Sequence, residues 1–309
     1  MSTVAIVMAT YNGEKYVGQQ INSILASTYQ DFELFIYDDG SKDDTVSILR
    51  EYEKVNSDKV HVFQNERNRG VNLNFLMAMG RTTMDYIMFC DQDDVWKPNK
   101  IAITLKRIRH MEAQFGKEMP LAVFTDASIV DKDLKEIHSS FFNSNHLDPR
   151  KTDLAHLLME NKLIGCTVMV NASLRKILQS NNYPEKSKLH DWWIALIAAS
   201  FGRIGYVNES TLLYRQHENN VVGGAAFGSY VKKRIATLNR QREAIRVLQR
   251  QAEEFLLLYE DLLTEEKSAI ILKFANLDQV NFMKRRSLIL KHGYLKTGLV
   301  RNIGLLIII

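Results

Sequence analysis

Cysteine is scarce: Cys90 and Cys166 are the only two in 309 residues, each inside an apolar run and neither in a CxxC pair. A disulfide framework and a cysteine zinc site are excluded, and both thiols are expected to be buried in a reducing compartment. No GxxxxGK[ST] follows the first apolar run and no GxGxxG occurs, which sets aside ATPases and nicotinamide-dependent dehydrogenases. No apolar run reaches the roughly 20 residues that cross a bilayer. The opening MSTVAIVMATYNG has neither a basic stretch nor a long apolar one, so no secretory signal is expected and the cytoplasm is the predicted compartment. Internal repeats and low-complexity linkers are also missing.

With 46% hydrophobic and 25% charged residues, the chain has an ordinary globular composition. Its length allows one domain, or one of about 200 to 250 residues with an appendage. Apolar runs at 4–10, 33–38, 60–65 and 86–91 alternate with helical spacing at 16–25, 45–55 and 73–79. That β-α-β-α-β rhythm predicts a parallel sheet with crossover helices. Further strands are expected at 121–130, 163–170 and 204–214, and helices near 99–115, 172–180 and 191–200. From Tyr230 onward the pattern is long helices alone.

An open parallel sheet holds its ligand at the carboxyl ends of its strands. Polar clusters fall there four times: Thr10-Tyr11-Asn12-Gly13, Asp38-Asp39-Gly40-Ser41, Asn65 to Gly70, and Asp91-Gln92-Asp93-Asp94. Any one of them could be a turn or a helix cap, but four in succession outline one wall of a site. The last is the strongest signal. Three carboxylates within four positions repel one another unless a cation neutralises them, and oxygen ligands without histidine or cysteine suit Mg²⁺ or Mn²⁺ beside a diphosphate. Asp94 could instead cap the helix beginning near Pro98.

The segments VMATYNGEKYVGQQINSIL, DFELFIYDDGSKDDT, NRGVNLNF, FCDQDDVW and HDWW resemble the family 2 inverting glycosyltransferases over roughly residues 3 to 222. DQDDVW, GCTVMVN, HDWW and YRQHENNVVG look most like bacterial rhamnosyltransferases of cell-wall or surface polysaccharide. The resemblance implies a GT-A (Rossmann-like) α/β fold with a mixed, mainly parallel sheet and a C-terminal helical extension. The change to long helices and to basic charge after Phe227 divides the chain into an expected catalytic domain (1–227) and a basic helical extension (228–309). Tyr11 would cover the nucleobase, with Ala9 and Thr10 shaping its pocket and Asp39 accepting from the pyrimidine N3–H. Such an acceptor selects uracil or thymine over cytosine. Arg69, Asp91 and Gln92 would also touch the nucleotide, although Arg69 could equally be a solvated charge. Asp91 and Asp93 match the metal-binding DxD, Asp93 foremost, with His217 a further candidate. Asp191 matches the general base. His190, Trp192, Trp193, Gly165, Cys166 and Arg215 would line the donor and acceptor sites, a tryptophan stacking on sugar.

The expectation is therefore metal-assisted inverting transfer of L-rhamnose from dTDP-β-L-rhamnose to a lipid-linked glycan. The alternatives are a UDP-sugar donor, a nucleotidyltransferase, and a noncatalytic sugar-nucleotide binder. Net charge is +4, yet residues 1–227 hold 25 basic and 28 acidic residues while 228–309 hold 15 and 8, and none is acidic after Asp278. The tail is expected to attach the protein to the inner membrane face. Lys284, Arg285, Arg286, Lys291, Lys296 and Arg301 would meet anionic lipid while Leu288, Ile289, Leu290, Leu299, Ile303 and Leu306 enter the headgroup boundary. A homodimer interface competes closely, and a nucleic-acid partner is not expected.

Overall fold

The structure, a computed structural model, describes residues 3–179, 183–216 and 238–309. Its first half alternates as the apolar rhythm predicts: β1 (Val4–Thr10), α1 (Val17–Leu25), β2 (Phe32–Asp38), α2 (Thr45–Val55), β3 (Val60–Gln64), α3 (Val71–Arg81) and β4 (Tyr86–Asp91). Helix α1 forms because Val17, Ile21 and Ile24 recur on one face, and that face is buried. Strand β1 is buried along most of its length, as a parallel strand covered by helices on both sides must be.

The second half carries β5 (Val95–Trp96), α4 (Lys100–Phe115), β6 (Leu121–Val130), β7 (Glu136–His138), α5 (Phe141–Ser144), α6 (Leu154–Met159), β8 (Met169–Asn171), α7 (Ala172–Gln179), α8 (His190–Phe201) and β9 (Arg203–Arg215). Helices α9 (Leu238–Tyr259), α10 (Glu265–Ala275), α11 (Phe282–His292) and α12 (Leu299–Ile308) follow. The strands form one sheet in the order β3-β2-β1-β4-β8-β6-β9-β5, with β7 beside β6. β1, β2, β3 and β4 pair in parallel, as do β6 and β9; β8 is antiparallel to both β4 and β6. Register sets Ala9 opposite Asp91 and Thr10 opposite Asp38, so the polar ends of β1, β2 and β4 share one edge.

One expectation fails here for a physical reason, and a second is narrowed. The run 163–170 is not a strand: Gly165–Thr167 is a 3-10 turn in which Thr167 N and Oγ1 both donate to the Ile164 carbonyl at 2.8 Å, and only 169–171 joins the sheet. Gly165 passes so close to α8 that a Cβ there would lie 2.9 Å from His190 Nε2. The tail is also less free than its composition suggests. Phe255 and Tyr259 of α9 pack on Trp193 and Phe201 of α8, Ile289 and Tyr294 are fully buried, and Leu288 and Leu306 pack against the core. Arg301 pairs with Glu160 at 2.5 Å, so neither Ile289 nor Arg301 faces outward to lipid. Among the described residues, no helix is long and apolar enough to cross a membrane.

Candidate active site

The β1 and β4 ends are joined by a two-way clasp. Tyr11 N donates to Gln92 Oε1 at 2.8 Å, and Gln92 Nε2 donates back to the Tyr11 carbonyl at 3.1 Å. Gly13 makes room for it, since a Cβ there would sit 2.3 Å from Gln92 Oε1. The Tyr11 side chain stays 46% exposed, which leaves a ring face for a base. Gln92 is thus occupied in bracing Tyr11. Thr10 is buried and donates through Oγ1 to Asp38 Oδ2 at 3.0 Å, and Asp38 Oδ1 accepts from Gly40 N and Ser41 N, so Asp38 shapes the second loop.

Asp39 lies at 3% exposure and accepts from Asn65 Nδ2 (2.9 Å), Arg69 N (2.9 and 3.0 Å) and Gly70 N (2.8 Å). These donors fill the four acceptor directions of a carboxylate, so a base N–H would have to replace one of them. The Arg69 guanidinium runs along α3, with Nη1 3.1 Å from Met77 Sδ, and contributes to the second loop through its backbone instead.

The carboxylates gather as the sequence predicts, with a different inner member. Asp91, Asp94 and Cys166 place one ligand atom each within 4.8 Å of one another. Asp94 is not a helix cap: α4 starts at Lys100 behind Asn99, and Asp94 is buried, with Oδ1 accepting from Arg215 N at 3.2 Å and Oδ2 lacking any partner. Burial together with the charges of Asp93 and Asp91 holds the Asp94 carboxyl well above its usual range. Burial, then Asp93, then Asp191, raises Asp91 to about 7. Asp93, like Asp91, is partly exposed, and it is not among the three residues whose ligand atoms cluster. Cys166 is kept a neutral thiol by burial and by Asp94 and Asp91, so it is a poor ligand for a hard cation.

The set fits a divalent ion: crowded oxygens, one of them a buried orphan, repel until positive charge neutralises them. Lys100, buried with Nζ 3.3 Å from Thr211 Oγ1, supplies only part of that charge, burial having lowered its pKa to about 8. His217 falls outside the described residues.

Asp191 opens α8 at 7% exposure, its Oδ1 without a hydrogen bond. Burial lifts its pKa to about 7, against the backbone amides of Trp192 and Gly165 and the Asn161 side chain, which draw it down. The Asp191 charge reaches Asp91, and a Gly165 Cβ would be 3.4 Å from Asp191 Oδ2, so Asp191, Gly165 and the carboxylates meet. His190 stacks on Phe75 at 4.1 Å, both ring nitrogens are unpartnered, and burial lowers its pKa to about 3. It is a neutral packing group beside Asp191.

Stacking of a sugar on Trp192 or Trp193 is ruled out. Trp192 is buried with Nε1 donating to the Leu157 carbonyl, and Trp193 lies fully inside beneath Phe255 and Tyr259. Arg215 is buried under the carboxylate loop. It donates from Nε to the Asp93 carbonyl (2.7 Å), from Nη1 to the Lys132 carbonyl (2.6 Å) and from Nη2 to Gln19 Oε1 (2.6 Å), and covers the Tyr16 ring. It holds the loop in place. Asn161 and Lys100 escaped the sequence reading because each lies in a segment without a motif, whereas Asn65 was included in the third polar cluster.

Residues 5–116 match the family model described as Glycosyl transferase family 2. Among curated proteins, the dTDP-rhamnosyl transferase RfbG of Shigella flexneri is 28% identical over 228 residues, spanning 70% of this chain and 73% of that one. Among solved structures, S. aureus TarS 1-349 in complex with UDP-GlcNAc aligns at a TM-score of 0.58 with 19% identity, over 94% of this chain and 79% of that one. The mannosyltransferase PcManGT from Pyrobaculum calidifontis, in complex with GDP-Man and Mn²⁺, aligns at 0.56 with 15% identity, over 94% and 73%. At these identities the two structures establish a shared fold.

Proposed function

We propose that this chain, which has the GT-A fold, is a family 2 glycosyltransferase that moves L-rhamnose from dTDP-β-L-rhamnose to a lipid-linked glycan. The observation carrying this reading is Asp191: a carboxyl with a pKa near 7, one oxygen free of hydrogen bonds, electrostatically coupled to Asp91. A general base works best when its pKa lies near the working pH. The rhamnose assignment is supported by the name of the Shigella relative, and UDP-sugars are the competing donors.

In this reading Tyr11 covers the thymine ring and the loop around Asp39 borders it. Asp191 takes the proton of the acceptor hydroxyl, whose oxygen displaces the diphosphate from the anomeric carbon in one step, so the β-linked donor yields an α-linked product. Asp91 and Asp93, backed by Asp94, would hold Mg²⁺ or Mn²⁺, which when bound lends positive charge to the diphosphate. Arg215 keeps the loop in position through the Asp93 carbonyl. Residues 1–227 would carry both sites, and 228–309 would hold the protein, as a monomer or homodimer, to the cytoplasmic membrane face where the acceptor resides.

Donor consumption and acceptor transfer, measured for wild type, Asp93→Ala and Asp191→Asn with Mn²⁺ or Mg²⁺, test this. Asp191→Asn is expected to lower kcat by about 10²-fold or more while dTDP binding persists. Full activity in that variant removes Asp191 as base, and a screen preferring UDP-glucose or UDP-N-acetylglucosamine removes the rhamnose assignment.

A further inference from the structure

Away from the carboxylates, the C-terminal helices enclose a cleft of about 180 Å³ between α9, the 277–278 turn, α11 and the end of α12. Arg242 and Arg246, one turn apart on α9, line it together with Arg285 of α11 and Gln249. Its one acidic lining side chain, Asp278, is exposed, Ile309 brings the carboxylate that ends this chain, and the rest is the apolar surface of Ile245, Leu277 and Ile308.

These guanidiniums are under-used. Among the described residues neither Arg242 nor Arg285 pairs with a carboxylate, whereas Arg50, Arg250 and Arg301 each do so at 2.7 Å or less. Arg246 lies 3.6 Å from Glu243, whose other oxygen is held by Arg250 at 2.5 Å. Arg242 uses Nε on the Ile308 carbonyl, and Arg285 uses Nη2 on the carbonyls of Asp278 and Val280. The Nε of Arg285 is buried with no hydrogen bond at all. With five N–H groups per guanidinium, most donors at the cleft are not taken by a protein acceptor and are open to solvent or a ligand.

Three planar forks converging on a small, partly apolar cavity match the oxygens of a phosphate group, which arginine binds bidentately. We propose that this cleft is a phosphate-binding site, separate from the donor site, which takes a phosphate monoester or diester. Two sources supply that chemistry: a free phosphate, or the headgroup of an anionic lipid. Phe282 and Met283 beside Arg285, and Ile307 beside Ile308, are 59%, 73% and 64% exposed, so a headgroup in the cleft would have its acyl chains next to apolar side chains.

The test uses the full chain and reads binding, not transfer, so it stands or falls apart from the assignment of Asp191. Inorganic phosphate is titrated calorimetrically without divalent metal, and vesicles of phosphatidylcholine, with or without phosphatidylglycerol, are sedimented with the protein. Wild type is compared with Arg246→Gln, Arg285→Gln and the control Lys54→Gln, an exposed cation on α2 outside both the cleft and the tail. Each arginine variant is expected to weaken binding about tenfold, the worth of one charge-assisted hydrogen bond, with the control unchanged. Saturable binding of inorganic phosphate that is lost in the arginine variants identifies a free-phosphate site. Arginine-dependent binding to phosphatidylglycerol vesicles alone identifies a headgroup site. The proposal is overturned if neither probe binds, if the arginine variants bind as wild type, or if Lys54→Gln loses as much as they do. Arg246, with its side chain 60% exposed, can be replaced without disturbing the fold.

Discussion

His190 and Asp191 are neighbours in the chain, and one burial moves them in opposite directions, because removal from water disfavours whichever form is charged. The imidazole falls to about 3, below its unfolded value, so its contribution to stability is complete above pH 6.5 and disappears as pH falls toward 3. The carboxyl rises to about 7, so its contribution is complete below pH 3.8 and is lost as pH climbs through 7. Thermal melts should therefore show Asp191→Asn more stable than wild type at pH 8, by a few kcal/mol at most, the gap closing near pH 4. His190→Gln should flatten the loss of Tm below pH 6.5. An Asp191→Asn protein less stable than wild type at pH 8 would contradict the burial argument. Asp191 was legible because its motif is local. That the adjoining tryptophans are core was not, because the groups covering Trp193, Phe255 and Tyr259, lie more than sixty positions away.

Among elements, the strands that the apolar runs announce most plainly are β1, β4 and β6, buried along all or nearly all of their length, whereas β2 alternates at first and the edge strand β3 is buried only at Val60 and Val62. Strand β5 is two residues long and owes its existence to pairing with β9, which no local pattern records. The 160–165 segment is similar, its shape being set from the tail. Glu160 accepts from Thr297 N at 2.8 Å, pairs with Lys162 and Arg301, and so fixes Asn161 beside Asp191. Burial would raise the Glu160 carboxyl, but Lys162 and Arg301 hold it lowered and charged. Removing one partner of a buried pair costs about 3–5 kcal/mol. Because Arg301 is 24% exposed, Arg301→Leu should cost about 2 kcal/mol by chemical denaturation and lower kcat more than it raises the donor KM. A variant with wild-type kcat would show that the clamp does not reach the base.

Across the whole molecule, one hydrophobic core runs from β1 to the end of α12, taking in Val4, Phe89, Trp193, Phe255, Ile289 and Leu305. Helical periodicity and basic charge in the tail were visible in the sequence; its docking was not, since an apolar stripe reads the same whether it meets a core or a lipid. Deletion after Asp278 removes Ile289, Tyr294 and Leu305, all at most 1% exposed. The truncated chain should lose solubility or melt many degrees lower, and a Tm equal to wild type would mean the tail is a dispensable anchor. The Tyr11–Gln92 clasp, finally, yokes the ends of β1 and β4, so that a displacement of one loop pulls on the other. In the proposed reading, with the base over Tyr11 and the diphosphate by Asp91, that yoke lies along the donor and makes its two ends report to a single ruler.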